Sequence, residues 1–196
     1  MPYILLDRWF SGLAANFVGV NDEIVGAIAT EHLIEIGCRQ HSPHLRNQRE
    51  HGAGRLKGYT HTLARHGIPV KPEYIVSADR LDTSASLAGY QAAIKLIAVS
   101  PCPTGIFCCN DPVAIGAMTA ILDAGLRIPE DVALIGCGNL QFDSSLRVPL
   151  SSVDQRSKMI WPARSSFGAA LGGGRRPPSA ESDFAGTGVG DSKFHP

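Results

Sequence analysis

Short apolar, β-rich runs alternate along this chain with stretches of helical period, and that alternation restricts the fold more than any other feature. Residues 3–6 form one apolar run and 17–20 a second. From Asp22 onward Val25, Ala29, Leu33 and Ile36 recur at helical spacing, until Gly37 supplies a stop. Residues 55–66 read as another helix, closed by Gly67 with Pro69 just beyond, and 74–76 as a short strand. Ser84 caps a third helix in which Leu87, Tyr90, Ile94 and Ile97 share one face, and Pro101 and Pro103 end it. Residues 105–109 form the next apolar strand. Asn110 or Asp111 then caps a helix with Ala114, Met118 and Ile121 inward, and Gly125 stops it. Residues 129–131 turn the chain into a further apolar strand at 132–135. Strands and helices alternating at these lengths predict an α/β fold, with βαβ units on a parallel sheet covered by helices on both faces.

Two stretches break the alternation. Residues 40–52 are polar, with His41, His44, Arg46, Arg49, Glu50 and His51 where an apolar strand is due. Beyond Met159 the chain turns Gly/Pro/Ser-rich, including Gly172, Gly173, Gly174, Pro177 and Pro178, and keeps no sustained period. The expected organisation is a partial first subdomain over 1–83, irregular at 40–52, a second over 84–160, and an irregular tail over 161–196.

Composition narrows the function. Eighteen basic side chains balance eighteen acidic ones, which argues against a nucleic-acid surface spread over the whole chain. No apolar segment has the length of a membrane span, and residues 1–8 lack the basic start of a secretory signal. Five cysteines without CxxC spacing read as reduced thiols, so the expected location is the cytoplasm. His41 and His44 have metal-like spacing, but no Cys pair or HExxH accompanies them, and no metal or other cofactor is expected. Cys108 and Cys109 point to opposite faces of their strand and read as packing residues. The glycines at 136–138 and 186–190 fit no phosphate loop, and no G-x-S-x-G elbow occurs, so the chain is not expected to be an enzyme.

What remains is placement. Ligands of open parallel sheets bind beyond the carboxyl ends of the strands. Asp7 and Arg8, Asn21 and Asp22, Asn110 and Asp111, and Gly138 and Asn139 each follow an apolar run. Asp22 and Asp111 read equally as helix caps, and Arg55 is either a ligand donor or an exposed first-turn residue.

These residues sit in recognisable strings: PYILLDR (2–8), VGVNDEIVGAIATEHLIEIGCR (18–39), GRLKGYTHTLARHGI (54–68), PTGIFCCNDPVAIGAMTAILDAGLRIPEDVALIGCGN (103–139) and VPLSSVDQ (148–155). In this order they resemble the effector-binding region of lactose/galactose-repressor (LacI/GalR) transcription regulators, over most of residues 2–160. The resemblance implies a periplasmic-binding-protein-like fold of two α/β subdomains around a cleft, the first incomplete here. It also implies a small sugar-like effector, a homodimer in the intact protein, and operator DNA bound through a helix–turn–helix headpiece that this stretch does not include. Carried over by position, Arg55 matches an arginine that bonds ligand hydroxyls, a role its fork of donors suits. Asn110 matches a cleft-facing polar residue with Asp111 beside it, and Asp22 an acidic position at the cleft edge. Many members have an Asp after the strand that ends near 137; this chain has Gly138 followed by Asn139, which departs from the usual sugar chemistry.

The irregular stretches fit a shifted reading frame. With permissible codons chosen, a one-base shift turns residues 40–52 into the family-like SIAHISGTSASTA, and the same shift after Ile160 yields a closing PRQNLISPELVSVTRSST. Both stretches are then expected to stay outside the packed fold. The competing readings are a non-functional gene fragment and a solute-binding protein for transport. The absent signal peptide and the string GLRIPEDVALIG argue against the transport protein.

Overall fold

The structure is a computed structural model, and it describes residues 4–6, 16–45, 50–77, 84–141, 143–155 and 188–189. Strands β1 (Ile4–Leu6) and β2 (Asn16–Val18) pair in parallel as a small sheet of their own. Helix α1 (Asp22–Glu35) follows, then β3 (His41–Leu45), α2 (Glu50–Arg65), β4 (Val76–Ser77), α3 (Ala85–Ile97), β5 (Gly105–Cys108), α4 (Asp111–Asp123), β6 (Ala133–Cys137), β7 (Ser151–Asp154) and β8 (Gly188–Val189). The main sheet runs β4-β3-β5-β6-β7-β8, parallel except for β8. Gly105, Ile106 and Phe107 lie opposite Ala133, Leu134 and Ile135, as the alternation of apolar runs predicts.

Alternation along β5 and β6 sends side chains to two cores. Phe107, Ala133, Ile135 and Cys137 face α1, where Val25, Ala29 and Leu33 meet them. Ile106, Cys108 and Leu134 face the other way, onto Val113, Ala117 and Ile121 of α4 and Leu96 of α3. Helix α2 packs along α1, and α3 along α4. Both pairs approach on glycine. A Cβ at Gly26 would run into the Arg55 carbonyl and one at Gly58 into that of Glu23; Gly89 and Gly116 stand in the same relation to Val113 and Ser86.

Three expectations are corrected here. The sheet crosses position 83 without a break, because β3 pairs with β5 directly, so the expected 83/84 boundary separates no two sheets among the described residues. Helix α3 buries Ala88, Gly89, Ala92, Ala93 and Leu96, while Leu87 and Ile94 are exposed. Its small-residue face admits the close approach of α4, which the larger apolar face does not.

The third concerns residues 40–52. The described ones, 40–45 and 50–52, join the fold: His41–Leu45 is an internal strand, His41 and Ser42 are buried, and α2 begins at Glu50. Backbone pairing to β5 at one edge and β4 at the other accepts any side chain that can be enclosed. The Tyr59 hydroxyl donates to the His41 carbonyl at 2.8 Å, and the Ser42 hydroxyl donates to that of Tyr74. The residue types remain costly there. Among the described residues neither ring nitrogen of His41 has a hydrogen-bond partner, and Pro43 brings no N–H to its strand. Of the expected irregular tail, Gly188 and Val189 pair antiparallel with β7; the rest lies outside the described residues.

Candidate functional site

The strand order reverses between β3 and β5: the chain leaves β3 toward β4 on one side and leaves β5 toward β6 on the other. Such a reversal opens a crevice at the carboxyl ends of the two strands, the usual ligand position in open α/β sheets. Two asparagines stand at the starts of the helices α1 and α4. Asn21 Oδ1 accepts from the N–H groups of Glu23 and Ile24, and Asn110 Oδ1 from that of Val113 at 2.9 Å, so each caps its helix. The capping role thereby falls to the asparagines, and Asp22 and Asp111, the next residues, turn their carboxylates elsewhere.

Asp22 pairs with Arg55. Its Oδ1 accepts from Arg55 Nε at 2.7 Å, with both side chains largely buried. Arg55 Nη1 donates in turn to the carbonyl of Cys109, at the end of β5. One guanidinium therefore ties the first turn of α1 to the carboxyl end of β5. Two of its five N–H donors are used in doing so. Burial works to lower the Arg55 pKa, but the neighbouring Cys137 sulfur and the Asp22 carboxylate outweigh it and hold the arginine above its usual value. Cys137 is pushed up to about 12, chiefly by burial, with Arg55 opposing, so it is an uncharged thiol at neutral pH.

Asp111 turns inward. It is fully buried; the Ser152 hydroxyl donates to its Oδ1 at 2.6 Å and the Leu140 N–H to its Oδ2 at 3.2 Å. Ser152 Oγ also accepts from the N–H of Asn139 at 2.9 Å. Asn139 adopts a positive φ of 51°, and Gly138 before it has φ 137°. A Cβ on Gly138 would approach Asp111 Oδ2 to 2.7 Å, so a side chain at 138 and this placement of Asp111 exclude each other.

All six residues expected from the sequence thus stand on linked elements at the carboxyl ends of the strands. Arg55, Asp22 and the backbone beside Asn110 are joined by hydrogen bonds, as are Asp111, Asn139 and Ser152. Asp7 and Arg8 lie outside the described residues. Sequence reasoning missed Ser152. Ser152 lies inside the string VPLSSVDQ, yet nothing in a run of two serines says which one faces a buried carboxylate.

Residues 30–160 match the family described as periplasmic binding protein-like domain. The ribose operon repressor of Haemophilus influenzae is 34% identical over 156 residues, covering 79% of this chain and 46% of the relative. The probable HTH-type transcriptional repressor ExuR of Bacillus subtilis is 41% identical over 106 residues, 54% of this chain and 31% of the relative. The crystal structure of a regulatory protein of LacI family from Chloroflexus aggregans superposes with a TM-score of 0.85 at 27% identity, covering 96% of this chain and 66% of that one. The chain thus spans less than half the length of these curated relatives.

Proposed function

The chain belongs to the periplasmic binding protein-like domain family of LacI/GalR-type regulators, and on that premise we propose that it binds a small polar effector at the crevice between β3 and β5. The observation that carries this reading is the Arg55 bridge from Asp22 to the Cys109 carbonyl at the strand-order reversal. It presents a fixed, buried cation with donors to spare where a ligand hydroxyl or carboxylate would sit. Asn110, Asp22, Asp111, Gly138 and Asn139 are the accompanying site residues in this reading. Asp111 acts from below, through Ser152 and the backbone of the 138–140 turn, and the Gly138–Asn139 pair favours an effector that does not need a carboxylate acceptor there. The intact regulator is a cytoplasmic homodimer without catalytic activity, and its operator contact is made by a helix–turn–helix segment, the type that names the Bacillus relative.

Calorimetric titration with pentoses, hexoses, their uronic acids and purine bases tests the reading. One of these classes is expected to bind with a Kd that Arg55→Ala raises about tenfold or more, the range for a hydrogen bond to a charged donor. Equal affinity in wild type and variant removes Arg55 from the site.

A second reading has its own observation. His41 is buried with both ring nitrogens unpartnered among the described residues, and Pro43 sits in an internal strand, where an apolar β-former is due. These residues suit a chain translated out of frame over 40–52, which makes this copy a damaged regulator. The nucleotide sequence of the locus and a frame-restored synthetic gene test it. A higher melting temperature in the restored protein supports the damage, and an unchanged or lower one removes it.

A further inference from the structure

Two carboxylates meet beneath the 138–140 turn, and among the described residues neither has an ion pair. The Leu140 N–H donates both to Asp111 Oδ2 at 3.2 Å and to Asp143 Oδ2 at 2.8 Å. Asp143 opens a single 3-10 turn (Asp143–Ser145) and is 4% exposed, and among the described residues its Oδ1 has no hydrogen-bond partner. Asp111 is fully buried, and the Ser152 hydroxyl takes its other oxygen. Gly136 and Gly138 make the arrangement possible, since a Cβ on either would drive into Asp111. Two buried carboxylates converging on one N–H cannot both stay ionised, because each charge destabilises the other and little solvent screens them. A neutral acid at Asp143 removes the repulsion.

We infer that Asp143 and Asp111 hold one proton between them, with Asp143 as the neutral acid donating to Asp111, and that the pair latches the 138–140 turn in a pH-sensitive way. Burial first, then the Asp111 charge and the hydrogen bond to it, raise Asp143 to about 6, with the Leu140 N–H opposing. The neighbours that feel Asp111 are the Cys108 thiol of β5 and the Cys137 thiol of β6, both pushed up by burial and uncharged across this range. Loss of the proton above the midpoint puts two charges under the turn that carries Asn139. The latch stands on these contacts alone; only its effect on ligand affinity rests on the proposed effector site.

The test is NMR on the whole chain with 13C-labelled aspartate side chains, titrated from pH 4 to 8, with Asp143→Asn identifying the Asp143 signal. The expected Asp143 midpoint lies about two pH units above that of an ordinary aspartate, and the Leu140 amide shift follows the same midpoint in wild type but not in Asp143→Asn. Thermal melts give a second readout. An acid whose folded pKa is raised stabilises the fold at low pH and loses that contribution as pH rises from about 4 to about 6, so wild type falls relative to Asp143→Asn over this window. An Asp143 midpoint near 4, or a Leu140 amide indifferent to pH, overturns the inference. A normal latch titration with pH-independent effector affinity would leave the shared proton standing and count against the effector site's reliance on this turn.

Discussion

Removing Asp22 isolates a buried charge, and the cost can be worked from its surroundings. The Arg55 and Asp22 side chains are 10% and 13% exposed, so water replaces little of what Asp22→Ala takes away. Breaking one partner out of a buried ion pair typically costs about 3–5 kcal/mol. The Cys109 carbonyl still holds Arg55 Nη1, which places the loss near ~3 kcal/mol, the lower end of that range. With a urea m-value of about 1–3 kcal/mol/M, the midpoint of unfolding drops by ~1–3 M. Asp22 also sits in the first turn of α1, where an acid gains about 0.3–1 kcal/mol from the helix dipole. Asp22→Asn preserves shape while losing the charge, so it bounds that contribution. The decisive comparison is the double variant Asp22→Leu with Arg55→Met, assayed by urea unfolding followed by far-UV circular dichroism. Without either charge it is expected within about 1 kcal/mol of wild type, because the desolvation penalty disappears along with the attraction. The reasoning is refuted if Asp22→Ala barely moves the midpoint, or if the double variant is less stable than the single.

Gly116→Ala drives a methyl group into the Ser86 carbonyl; overpacking of about 1–3 kcal/mol exceeds the helix-propensity gain of ~1 kcal/mol, and a lower urea midpoint with more dye binding by exposed apolar surface is expected. His41→Val removes a buried imidazole whose nitrogens have no hydrogen-bond partner among the described residues and is expected to raise stability by about 1–3 kcal/mol. Burial lowers the pKa of His41 in the folded chain, so the unfolded chain takes up the proton first and stability falls as pH drops below about 6.5; the His41→Val variant should lack that part of the melting profile. At the turn before β6, Asp131 is lowered to about 2, first by its bond to the Arg127 guanidinium and then by the Arg127 N–H. Its contribution is present above about pH 4 and lost as pH falls through about 2, so melts from pH 5 to 2 should show a smaller acid decline in Asp131→Asn.

Where local signals agreed, the sequence was sufficient. Residues 105–135 combine an apolar strand, an Asn cap, helical spacing and a glycine stop at Gly125, and each appears as expected. The face of α3 was misjudged because helical spacing marks large apolar residues, whereas α3 packs through Ala and Gly against a neighbouring backbone. β3 could not be read from HSPHL, since its pairing is backbone chemistry supplied by β4 and β5. At the site, the strand ends point to Asp22, Asn110 and Asp111, and Arg55 reads as either a ligand donor or an exposed first-turn residue until the resemblance favours the donor. Which residue of each Asn–Asp pair caps its helix and which turns away was invisible in sequence, because both types cap well. Asp143 gave no signal at all: its importance comes from enclosure beside Asp111, a relation between distant residues.

The glycine seams between helices also decide what can move. Gly26 rests on the carbonyl of Arg55 and Gly58 on that of Glu23, so α1 and α2 touch backbone to backbone at these positions. Asp22 and Arg55 are consequently two points on a single stiff paddle. The other pair, α3 and α4, locked in the same manner through Gly89 and Gly116, is a second paddle on the opposite side of the sheet, and it carries Asn110 and Asp111. A molecule gripping Arg55 and Asn110 together would transmit torque between the paddles, and the strand ends at Cys109 would serve as its fulcrum.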